Sequence, residues 1–156
     1  MAIFDTVQSE GRIDEMIESV FSMKLSVGGD WGYEQSSATI IYASELPLPQ
    51  LEHTLASMRA HLEMSLMPGK EERYGSINLN ESGREAYREK GKLFHRVRYD
   101  LTAMKETLYN HFVNEYKEGY GKDDFDMAEH FRRRKEATLE RSVEQWFEIR
   151  DEGLSR

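Results

Sequence analysis

The chain contains no cysteine. Disulfides, thiolate nucleophiles and cysteine-ligated zinc are therefore excluded, and a reducing compartment is allowed. No apolar run approaches the ~18 residues of a membrane span. The opening MAIFDTVQSEGR has neither a basic n-region nor an apolar stretch, so no secretory signal is expected. H-E-x-x-H, the G-x-G-x-x-G fingerprint and the Lys-Ser/Thr of a P-loop are all missing. Internal repeats and low-complexity segments are missing too. These absences point to a cytoplasmic protein with no cofactor and no resident metal.

What is present is charge. The 156 residues are 38% apolar and 32% charged, with a formal net charge of −8 and a pI near 5.2. That length allows a single domain with a sizeable core. Residues 1–82 hold 5 Lys+Arg against 13 Asp+Glu, whereas residues 83–156 hold 16 of each. The acidic total opposes general polyanion binding, although a local basic patch is compatible with it.

Hydrophobic periodicity divides the chain near residue 80. Ile13, Met16, Ile17, Val20 and Phe21 are spaced for a helix over about 10–22, with Ser9 as a plausible cap. Met23, Leu25 and Val27 alternate as a strand would, and Gly28-Gly29-Asp30 is turn chemistry. Residues 38–43 are rich in β-branched side chains and read as a strand. Pro47 and Pro49 then lead into a helix over 49–66 striped by Leu51, Leu55, Met58, Leu62 and Leu66. A short strand is expected at 76–79. Ser82 and Glu85 form a capping-box pair. Phe94, Val97, Leu101, Met104, Leu108 and Phe112 keep a 3-4 spacing to about residue 118, and Gly91 interrupts their helix. Asp126 and Glu129 open a last helix to about 151, whose stripe includes Leu139, Val143 and Trp146. The expected fold is α+β: a small antiparallel sheet packed with helices in 1–80, and a long C-terminal helical hairpin in 81–156.

The stretch LSVGGDWGYEQSSATIIYASELP, a strand, a Tyr-Glu hairpin and the start of an amphipathic helix, resembles small accessory proteins encoded by phages and plasmids. That resemblance names no family and assigns no individual residue.

Chemistry-bearing groups are few. His111 and Glu115 lie four apart, a spacing that presents two ligands or a catalytic pair on one helix face, yet a metal needs three or four ligands. His53 and His61 read as surface histidines. Gly28-Gly29-Asp30-Trp31-Gly32 reads as a hairpin turn. Asp123, Asp124 and Asp126 lack the Gly and Glu of an EF-hand loop and suit a helix N-terminus.

Two charge ladders stand out. Arg84, Arg88, Lys92 and Arg96 recur every four residues, with His95 and Tyr99 beside them. Glu136, Glu140, Glu144, Glu148 and Glu152 repeat the interval in the opposite sign. On helices each ladder would line one flank, where like charges repel by ~0.2–0.5 kcal/mol per pair. Water, a complementary ladder within the chain or across a homodimer, or another protein would relieve that repulsion. The leading expectation is therefore a non-enzymatic protein-interaction module acting through charged helical surfaces. The alternative is nucleic-acid binding through residues 84–99, and the third is an enzyme or metal site at His111 and Glu115.

Overall fold

The computed structural model describes residues 12–69 and 72–150. Nine principal elements follow in order: α1 (Ile13–Phe21), β1 (Val27–Gly29), β2 (Thr39–Ile41), α2 (Leu48–His61), β3 (Tyr74–Glu89), β4 (Lys92–Lys105), α3 (Glu106–Gly119), α4 (Met127–Ala137) and β5 (Leu139–Ile149). A single 3-10 turn spans Gln35–Ser37, and α2 runs on into a π turn over Leu62–Leu66.

All five strands join one sheet in the order β1-β2-β5-β4-β3. The pairings are antiparallel except that of β2 with β5, which is parallel. The expected architecture is overturned on both points: the sheet is mixed, and the final element is a strand where a long helical hairpin was expected. Residues 81–105, expected to be helical, form the second half of β3, a tight turn and β4. The turn is Lys90-Gly91, both in the left-handed region at φ 52° and 78°. Positive φ at both central residues makes a two-residue hairpin whose twist matches its strands. Gly91 is therefore a turn residue, and Ser82–Glu85 lies within a strand and caps nothing.

The physical reason for β4 is its alternation. Leu93, Val97, Tyr99, Leu101 and Ala103 are buried on one face with His95 among them, while Arg96, Arg98, Asp100 and Thr102 occupy the other. Phe94 and Met104 are buried on that second face. Their presence is what let the stretch also fit a helical template. β5 behaves alike, with Val143, Gln145, Phe147 and Ile149 on the first face and Glu144, Trp146 and Glu148 on the second.

The main core lies between the first face and helices α1 and α2. Ile13, Ile17, Leu51 and Leu55 pack there with Trp31, Val97, Tyr99 and Phe147. Full burial of each such side chain contributes ~1.5–3 kcal/mol. Gly32 holds the Trp31 loop against β5. Its φ is 75°, its carbonyl accepts the Trp146 N–H at 2.8 Å, and a Cβ there would collide with the Trp146 carbonyl oxygen. Helices α3 and α4 form a short hairpin inserted between the neighbouring strands β4 and β5. The Asp126 cap is present, its side chain accepting the Glu129 N–H at 3.0 Å. Among the described residues no helix is long and apolar enough to cross a membrane.

Candidate functional site on the open face of the sheet

The basic ladder sits on a β-hairpin, so its members divide between the two faces. Register pairs Arg84 with Val97 and Arg88 with Leu93, which places both on the core face. Lys92 and Arg96 point to the opposite, open face, with Glu140, Glu144 and Glu148 from β5. The surface expected to be helical is thus largely a sheet surface. Arg96 bonds the Glu144 carboxylate at 2.8 Å, and Lys92 lies 3.8 Å from Glu148. Glu136, on α4, bonds Arg132 at 2.6 Å. Glu140 is exposed, and Glu152 lies outside the described residues.

Three side chains stack at the centre of the open face. Tyr87 of β3 and Trp146 of β5 have ring centroids 5.6 Å apart, and the Arg96 guanidinium, on the strand between them, lies 5.5 Å from the Trp146 centroid. The Glu144 and Tyr87 hydrogen bonds hold the Arg96 pKa above its ordinary value. Around the stack Glu85, Arg98, Asp100, Glu140 and Ser142 are exposed. Helical spacing alone does not single out Tyr87 and Trp146 as site residues. The signal was the period-two alternation of 143–149, which puts Trp146 among glutamates.

On the core face Glu52 is fully buried at the α2–sheet interface. It accepts His95 Nδ1 at 2.9 Å and Arg84 Nη1 at 3.1 Å, while Arg84 also forks onto Glu81 at 3.0 and 2.6 Å. These contacts raise the Arg84 pKa, the Glu81 bond contributing most. Tyr99 is fully buried, and desolvation pushes its phenol pKa up. Arg88 is the one member of the basic ladder that makes no ion pair among the described residues. His53 is exposed, as expected, and its ring Nε2 bonds the Leu79 carbonyl at 2.8 Å.

No protein-family model, curated protein or solved structure matches the chain.

At the third candidate, His111 Nε2 lies 3.4 Å from Glu115, and the fold adds two groups that sequence spacing did not bring together. His130 Nδ1 lies 3.2 Å from the same carboxylate, and Arg133 bonds it as well. Arg133, and then His130, hold the Glu115 pKa below the usual carboxylate range. His130 is fully buried against Phe112, Phe125 and Phe131, with centroids 5.1–5.8 Å away. Among the described residues its Nε2 is buried without a partner, so it offers no proton-transfer face to a substrate. No set of three or more His, Asp or Glu side chains among the described residues is arranged to hold a metal ion. The cluster ties α3 to α4.

Proposed function

We propose that the protein is a non-enzymatic protein-interaction module, an adaptor, regulator or inhibitor, that receives its partner on the open face of β3, β4 and β5. The observation that carries this reading is the Tyr87–Arg96–Trp146 stack. Aromatic and arginine side chains at the centre of a patch are the groups that dominate protein-interface energetics. Tyr87 is 36% exposed, and the polar groups around it form the rim such a patch requires. Glu85, Glu140 and Glu144 call for a partner that surrounds an apolar or aromatic centre with basic groups. Charge complementarity of this kind sets register and on-rate more than affinity. A cytoplasmic setting belongs to the same proposal and suits a chain without cysteine.

Nucleic-acid binding through 84–99 draws less support, because Arg84, Lys92 and Arg96 already face carboxylates. An enzyme at His111 and Glu115 draws less still, because His130 is sealed among rings.

Site-specific photo-crosslinking tests the proposal. A photoreactive residue replacing Arg98, on the open face, is expected to trap one dominant protein adduct in host lysate. The same residue replacing the exposed His61 on α2 is expected to trap none. Equal adduct patterns from both positions would refute the reading.

A further inference from the structure

Among the described residues β3 is the longer of the two edge strands of the sheet. It has 16 residues, and among the described residues only β4 pairs with it. The Lys90-Gly91 turn makes Glu89 and Lys92 a hydrogen-bonded pair, as the last residues before a two-residue turn must be. Hydrogen-bonded and non-hydrogen-bonded pairs then alternate down the ladder. Arg84↔Val97, Ala86↔His95 and Arg88↔Leu93 are of the second kind. The N–H and C=O groups of Arg84, Ala86 and Arg88 therefore point away from β4 into solvent.

Side-chain charge decides what can pair with those groups. Glu85, Tyr87 and Glu89 lie on the open face, and Arg84, Ala86 and Arg88 on the core face. A second copy adding antiparallel about a two-fold axis must keep open face with open face. The axis then passes through a residue, and every such register from 84 to 88 opposes like charges. An axis through Arg84, Glu85 or Arg88 sets that residue against itself. One through Ala86 opposes Arg84 to Arg88, and one through Tyr87 opposes Glu85 to Glu89. Like charges directly opposite destabilise a strand pair.

We infer that the β3 edge over Arg84–Glu89 is a strand-addition site for an extended segment of another protein, with basic side chains opposite Glu85 and Glu89 and an acidic one opposite Arg88. This rests on the protein-binding reading above and names a different surface and the form of the ligand. Backbone hydrogen bonds to 84, 86 and 88 supply affinity, and the alternating charges supply register. Among the described residues Arg88 makes no ion pair, which leaves its charge available to an acidic side chain. Tyr87 favours an aromatic residue opposite it.

The probe is a fluorescein-labelled peptide carrying Lys-Glu-Phe-Val-Lys-Glu between flexible Gly-Ser flanks, read antiparallel from Glu89 to Arg84. Anisotropy with the full chain is expected to rise saturably and to weaken with salt. A control peptide with both lysines changed to glutamate is expected to bind at least about tenfold more weakly. Ala86→Pro removes one free edge N–H and no β4 hydrogen bond, so the fold tolerates it while probe affinity falls about tenfold. Should Ala86→Pro fail to fold, Arg88→Glu serves instead: probe affinity falls and is restored by changing the first peptide glutamate to lysine. Wild-type protein that binds probe and control equally, or Ala86→Pro that binds as wild type, would overturn the inference. A concentration-dependent dimer that Ala86→Pro dissolves would also overturn it, by showing a second copy at the edge. An open-face crosslink at position 98 from a protein that ignores the probe would overturn the edge site alone and leave the proposed function standing.

Discussion

Removing Arg84 should cost more stability than removing Glu52, although the two face each other. The Glu52 carboxylate is 0% exposed, while 32% of the Arg84 side chain remains in water. At 3.1 Å and an effective dielectric of ~20, their attraction is about 5 kcal/mol. Desolvation of the carboxylate offsets several kcal/mol of that, so the net value of the pair is small. In Arg84→Leu the attraction is lost and the desolvation remains, with His95 at 2.9 Å left as the partner of Glu52 among the described residues. Breaking a buried pair typically costs ~3–5 kcal/mol, and partial exposure here lowers the expectation to ~2–3 kcal/mol. Glu52→Leu removes the buried charge together with the attraction, and Arg84 keeps its fork onto Glu81. That variant should lose no more than ~1.5 kcal/mol, and the double variant should match it closely. Urea unfolding of the four proteins gives these values directly. For a chain of this length Arg84→Leu should lower Tm by roughly 5–10 °C. A Glu52→Leu cost equal to or above that of Arg84→Leu would refute the assignment of the buried penalty to the carboxylate.

Two further outcomes follow from local geometry. The Glu115 pKa is depressed in the folded protein, so the stability it contributes is complete above its unfolded value of about 4.3 and is lost as pH falls through the lower folded value. Melting from pH 7 to pH 3 should therefore show wild type converging on Glu115→Gln at the acid end, whereas a constant gap would contradict the role of that carboxylate. Lys90 sits at φ 52° in a turn that favours asparagine before glycine, so Lys90→Asn should raise stability by about 0.5 kcal/mol in the same urea assay.

The sequence announced α1, β2 and α2 because each carries one unambiguous period and clear punctuation. Ile13 and Ile17 are a turn apart on one buried face, and Pro47 and Pro49 mark the entry to α2. The stretch from 81 to 105 was ambiguous for a physical reason. β4 buries Phe94 and Met104 on one face and five apolar residues on the other, so its apolar positions satisfy helical and strand templates at once. Charges repeating every four residues added to the confusion, because an interval of four keeps one face on a strand as well as nearly one face on a helix. Only the Lys90-Gly91 turn separates the readings, and lysine is an uncommon residue at its first position. Of the candidate sites, the two ladders were visible as residues but not as neighbours. Arg96 meets Glu144 across 48 positions of chain, a juxtaposition that the strand register creates. The Glu52 and His130 clusters depend on partners 32 and 15 positions away and carry no local signature.

The last described strand occupies the middle of the sheet. β5 lies between β2 and β4, and until it is in place β1 and β2 have no contact with the β3–β4 hairpin through the sheet. During synthesis the hairpin and the helices can form locally as they emerge, but the core that includes Phe147 and Ile149 cannot close until residue 149 has left the ribosome. Closure of the sheet thus waits for β5, and a transcript truncated ahead of Leu139 would yield two half-sheets, each with an open seam where β5 belongs.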